Sequence, residues 1–196
     1  MTTGGLNGGG TYYVEFTLTD GSGLGDANSH ADISNFFVNG GALGAVAPPT
    51  LGDVTGGLGG AQTRGLSDSN AGASGLADFT QAFTVSNSGS TIDFNVLLSN
   101  TGVDSGAPDA FTFKVLDADF IALPTNGPVG DELVSSDFTS LTPTVSGFTG
   151  TGNLTPQIAA TITPVTSTVP EPGAVSGLAM GALTLGGLML RRRRAA

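Results

Sequence analysis

Short runs of alternating apolar and polar residues, cut by Gly, Asn, Asp and Pro, recur through residues 11–164, and no stretch there shows a helical period of useful length. The clearest run is Ser90–Ser99, where Ile92, Phe94, Val96 and Leu98 alternate with Asp93, Asn95 and Leu97. Successive side chains of a strand point to opposite faces, so this spacing gives one buried face and one outer face. Ala110–Asp117 repeats it, with Phe111, Phe113 and Val115 against Thr112, Lys114 and Leu116. Tyr12–Thr19 sets Val14, Phe16 and Leu18 against Tyr13 and Glu15, and closes on the turn signal Asp20-Gly21. Ala31–Asn39 points Ile33, Val38 and either Phe36 or Phe37 inward, before the turn Asn39-Gly40-Gly41.

Weaker segments fill the rest. Thr80–Val85 reads as a strand, and a weak strand is expected near Thr50–Thr55, inside the Gly-rich stretch 41–70 that also holds Pro48-Pro49. Asp131–Phe138 is ambiguous, and Pro156–Pro164, with Ile158, Ala160 and Ile162 alternating, reads as a closing strand. Seven to nine short strands with turn residues between them predict an all-β fold, an antiparallel β-sandwich of jelly-roll type. The alternating Phe residues would fill the space between its sheets. A β-solenoid would need a fixed repeat, and the sequence contains none.

Charge restricts the partners. Before residue 169 the bases are Arg64 and Lys114 alone, against fifteen Asp and Glu, a net charge of −13. Such a surface repels phosphate backbones, so nucleic acid is not an expected partner. It is compatible with neutral sugars, cations or basic partners. Cys is absent, which removes disulfides and thiol chemistry. The single histidine, His30, stands between Ser29 and Asp32 and reads as an exposed residue at a loop end, with no G-x-S-x-G nucleophile turn to serve. Gly56-Gly57-Leu58-Gly59-Gly60 lacks the Gly-Lys-Ser/Thr ending of a phosphate loop.

Two acidic loops flank the run Ala110–Asp117. Asp104 and Asp109 precede it, and Asp117 and Asp119 follow. Carboxylates on adjacent loops can gather calcium through oxygen ligands, and these four residues are the candidate set. The competing reading is turn chemistry, since Asp favours turns for local reasons. Paired carboxylates also serve glycoside hydrolysis. The aromatic platforms such sites use for sugar rings are scarce here, with no Trp and only Tyr12 and Tyr13. The chain therefore reads as non-enzymatic and without an obligatory cofactor. A secreted hydrolase is the third reading.

The last 28 residues have a different character. Val169-Pro170-Glu171-Pro172 is followed by Gly173–Leu190, eighteen residues without charge or Pro, then by Arg191, Arg192, Arg193 and Arg194. As a helix those eighteen residues reach about 27 Å, just under the roughly 30 Å hydrocarbon core. The arginines would stay on the cytoplasmic side, with the preceding chain outside. A buried core helix is the alternative, but it would carry more polar residues than Ser176 and Thr184. Gly173, Gly177 and Gly181 stand four apart, a small-residue spacing that can bring two helices together.

This order of Pro-Glu-Pro, apolar helix and terminal arginine cluster resembles the PEP-CTERM sorting signal of Gram-negative bacteria. Gly106-Ala107-Pro108-Asp109-Ala110-Phe111 also resembles a stretch seen in one group of small PEP-CTERM proteins. The resemblance implies that Val169, Pro170, Glu171 and Pro172 form the recognition segment and Arg191–Arg194 the retention cluster. It implies export and transient anchoring in the inner membrane with the body outside. It further implies processing by an exosortase and association with an extracellular polysaccharide or biofilm matrix. A carbohydrate-binding β-sandwich module, calcium-assisted, is the alternative for the body. The organisation that follows is a Gly-rich segment 1–10, a β-sandwich domain 11–164, a linker 165–168 and the sorting signal 169–196. Exported chains open with a basic, then apolar, leader, and residues 1–10 hold none, so a truncated or late-assigned start is expected.

Overall fold

The computed structural model describes residues 6, 8–21, 28–68, 75–87, 90–101, 107–127, 130–140 and 143–150. Within them lie ten strands: β1 Thr11–Thr19, β2 Ser29–Asn39, β3 Gly41–Leu51, β4 Asp53–Gly56, β5 Thr63–Ser67, β6 Leu76–Val85, β7 Thr91–Asn100, β8 Ala110–Leu116, β9 Val134–Asp137 and β10 Thr144–Gly147. They form a six-stranded sheet of order β10-β9-β8-β1-β6-β3 and a four-stranded sheet of order β4-β5-β2-β7. Every pairing is antiparallel. The expected all-β antiparallel architecture is therefore present. No helix among the described residues is long and apolar enough to cross a membrane. The expected helix 173–190 and the closing strand Pro156–Pro164 lie outside the described residues.

The pairing is nested. β1 pairs with β8, β2 with β7, β3 with β6, and β4 with β5. The connection β4–β5 is the tip of one long two-stranded ribbon, and each outer pair encloses the next. The chain changes sheet at each link from β1 to β4, and again at β5–β6, β6–β7 and β7–β8. Two of these crossings are tied together at Gly40, which sits at φ 71° and whose carbonyl accepts from Ser86 N (2.6 Å) and Ser90 Oγ (2.7 Å). A positive φ is open to Gly without steric penalty, which allows the sharp reversal between sheets there.

The core lies between the sheets and is built on phenylalanine. Phe16 of β1 meets Phe113 (4.9 Å between ring centroids), Phe94 (5.4 Å, edge-on), Phe36 (6.1 Å, edge-on) and Phe111 (6.4 Å). Phe36 and Phe94 come from the four-stranded sheet, and Phe16, Phe111 and Phe113 from the six-stranded one. The ring contacts thus hold the two sheets face to face. Val14, Phe16 and Leu18 are fully buried, as the alternation in β1 predicts. Leu6 also packs in this core.

Four local readings change. The choice between Phe36 and Phe37 is settled by a β-bulge: the β2–β7 register shifts between Ser34 and Phe37, and Asn35 takes φ 51°. The extra residue resets the alternation, burying Phe36 and exposing Phe37. The stretch 41–51 is a full strand despite Pro48-Pro49, because β3 is an edge strand whose outer side needs no donor. The expected strand near Thr50–Thr55 is divided at Gly52 between β3 and β4. His30 is the second residue of β2, half-buried and paired between Ser67 and Ser99, not at a loop end.

Candidate functional site

The sorting residues Val169, Pro170, Glu171, Pro172 and Arg191–Arg194 lie outside the described residues, as does Asp104. The other three candidate calcium ligands are described. Asp109 precedes β8 and Asp117 follows it, so their backbones stand about 26 Å apart along an extended strand. Calcium ligands lie within about 2.6 Å of the ion, so Asp109 cannot share one with Asp117 and Asp119. Each end has its own structural use for its carboxylate. Asp109 is buried, and its Oδ1 accepts from Gly21 N at 2.9 Å, tying the link after β1 to the start of β8. Asp117 Oδ1 accepts from Asp119 N and Ile121 N, both at 2.9 Å, and shapes the turn after β8. Among the described residues no three Asp, Glu or His side chains gather to hold a metal ion.

That turn presents an unusual group. Phe120 sits at φ 61°, a sterically costly conformation for a bulky residue, and stacks on Tyr13 with 4.3 Å between ring centroids. Phe120 and Ile121 are both exposed. Tyr13 points outward from β1, and the next outward residue on that strand is Glu15, about 7 Å along. Glu15 is paired between Thr80 and Lys114, and Thr17 faces Asp78, to which its hydroxyl donates at 3.1 Å. The outer face of the six-stranded sheet therefore carries an aromatic pair beside two carboxylates and an amine. Partial burial raises the Glu15 carboxyl above its ordinary value, the Asp78 charge adds to this, and Lys114 opposes it. Burial also raises Asp78, against the lowering effects of Thr17, the Phe79 backbone and Lys114.

A second feature opens at the edge of the sandwich. Val46, Gly56, Gly57, Leu58, Gln62, Thr63, Arg64 and Gln81 line a cleft of about 560 Å³ between the β4–β5 hairpin and the β3–β6 edge. Arg64 occupies an inward-facing position of β5, two residues before the buried Leu66. Its guanidinium carbon lies 3.9 Å from the centroid of the buried Phe79 ring. Gln81 stands in the inward phase of β6, between Phe79 and Phe83, and its Nε2 donates to Gly44 O at 3.0 Å. Neither residue was singled out by the sequence patterns. The available signals were a polar residue in the apolar phase Phe79-Gln81-Phe83-Val85, and one of the body's two bases beside an apolar Leu66. Gly56 and Gly57, from the glycine run unsuited to a phosphate loop, line this cleft with Leu58.

Comparisons with protein-family models, with curated proteins and with solved structures give no match.

Proposed function

We propose that the chain is an exported, non-enzymatic protein of the cell surface or extracellular matrix, sorted by a PEP-CTERM-type tail. In this reading an exosortase-type enzyme processes the tail near Val169–Pro172. Until then residues 173–190 hold the protein in the inner membrane with its body outside. The observation that carries the reading is the order of Pro170-Glu171-Pro172, an eighteen-residue uncharged run and Arg191–Arg194 within the last 28 residues. The finer fold assignment, a jelly roll, is supported by the nested pairing of β1–β8. An acidic body free of Cys, in association with exopolysaccharide, fits the same reading. To test it, the chain is fused to a secretory leader and expressed in an exosortase-bearing host and in its exosortase deletion. Mass spectrometry of the mature protein should show loss of the arginine cluster in the first host alone. An intact Arg191–Arg194 in both hosts would sink the proposal.

A second reading, a carbohydrate-binding module, is favoured by the stack of the exposed Phe120 on the half-buried Tyr13, on the face that also carries Glu15, Asp78 and Lys114. Sugar rings pack their C–H faces on aromatic rings, and carboxylates accept their hydroxyls. Phe120→Ala should then abolish retardation of the protein in a neutral-glycan gel, with unchanged thermal stability as the control. Retention unaffected by that substitution would remove this face from consideration.

A further inference from the structure

Ser29, Ser136, Arg64 and Gln81 interrupt the apolar inner faces of the two sheets, and of these Arg64 and Gln81, one from each sheet, line the same cleft. A break in the apolar pattern is expected at functional or strained sites. Arg64 is well placed to hold something other than protein. Its Nε is buried and makes no hydrogen bond, and its one close partner among the described residues is the Phe79 ring. A body with fifteen Asp and Glu before residue 169 offers it none of them as an ion-pair partner among the described residues. A partly desolvated guanidinium with unused donors favours an anion, and its planar fork matches a carboxylate bidentately. The aromatic ring beneath holds that fork in one plane. Burial also lowers the Arg64 pKa, the electrostatic mark of a cation short of solvent and counter-charge.

We propose that this cleft binds a small carboxylate-bearing ligand, with Arg64 as the cationic fork and Gln62 and Gln81 as amide partners. The cleft size falls in the range of about 300–1,000 Å³ usual for small-molecule sites. The polar lining suits a sugar acid or a bare carboxylate, and neutral or positively charged ligands leave the fork unmatched. The surrounding negative charge repels large polyanions and leaves compact, singly charged ligands as the class that can enter. The site is separate from the Tyr13–Phe120 face, and its binding does not depend on the sorting proposal.

The test is calorimetric titration of the full-length chain with glucuronate, acetate, sulfate and glucose, alongside NMR of the arginine Nε–Hε signals. Glucuronate is expected to bind and to move the Arg64 Nε–Hε resonance, while glucose does neither. Arg64→Gln should weaken binding about tenfold or more, the loss of a charged bidentate pair. Gln62→Ala, on the exposed rim where the fold is not at stake, should weaken it by a smaller factor. If Arg64→Gln does not fold, the wild-type resonance shift and the Gln62→Ala titration still decide. Glucuronate binding more tightly than acetate identifies a sugar acid, and equal binding identifies the carboxylate alone; either upholds the proposal. Glucose or sulfate binding as well as glucuronate overturns it, and so does an unmoved Arg64 signal.

Discussion

Phe16 is the residue on which most ring contacts converge. It is fully buried and touches aromatic rings from both sheets, so truncation removes dispersion contacts on several sides. Phe16→Ala should lower unfolding free energy by about 3–5 kcal/mol, read from urea denaturation. Phe37→Ala, one position beyond the bulge and exposed, should change it by no more than about 0.5 kcal/mol. Glu15 gives the opposite sign. Its folded-state pKa is raised, so the folded protein binds the proton more readily than the unfolded chain, and ionisation opposes folding. The destabilisation is complete above the raised pKa and is relieved as pH falls through it toward the ordinary carboxylate range. Glu15→Gln should therefore raise Tm at neutral pH, with the gain shrinking to nothing as the wild-type carboxyl is protonated. A gain that grows on acidification would reverse the assignment. Arg64 and Gln81 mark the residue-level limit of sequence reading. Each is visible as a polar intruder, but their meeting depends on which strands of opposite sheets end side by side.

At the scale of the element, alternation located the strands that are buried on one face and long enough to show a period. β1, β7 and β8 were legible for that reason, down to the residues facing inward, and β2 up to the choice between Phe36 and Phe37. β3 was obscured by Pro48-Pro49, because tolerance of proline depends on lying at a sheet edge, a property of the assembled sheet. β5 and β10, of five and four residues, are too short for a period to stand out. The bulge at Asn35 was invisible because an inserted residue leaves no compositional mark. It makes a sharp prediction nonetheless. Deleting Asn35 places Phe36 two positions after Ile33, so both keep the inward face and the ladder to β7 becomes regular, with Phe36 opposite Phe94. The deletion should therefore cost clearly less than the about 3–5 kcal/mol of losing a buried ring, in the same denaturation assay. An unaffected midpoint would show that the bulge is dispensable. The four aspartates were legible as acids near turns. Their separation followed from the length of β8, which alternation had already outlined, so this part of the site could have been rejected from sequence.

For the whole molecule, the nested ribbon and the charge act together. Pairing β1 with β8 closes a long loop before any contact repays it, and topologies dominated by such contacts fold on about the millisecond-to-second scale. The body before residue 169 meanwhile carries −13 with Arg64 and Lys114 as its only bases, so self-repulsion opposes compaction throughout. Raising ionic strength from about 10 to 150 mM shortens the screening length from about 30 to 8 Å. Tm should rise over that interval and then level off, in a thermal scan with a neutral osmolyte as control; a falling Tm would mean that attractive pairs outweigh repulsion.

The position of β10 has a mechanical corollary. It is four residues long and, among the described residues, lies at the edge of the six-stranded sheet and pairs on one side only, with β9. A pull transmitted along the chain from beyond residue 150 first meets the Thr125–Gly150 bridge and the Asn126–Thr149 hydrogen bonds, then loads β10 and β9 before it reaches β8 and β1. These short ladders can yield by peeling while the Phe16 cluster stays closed. A protein tethered through its C-terminal side would thus possess a sacrificial hem, extending under tension and re-zipping when the load is gone.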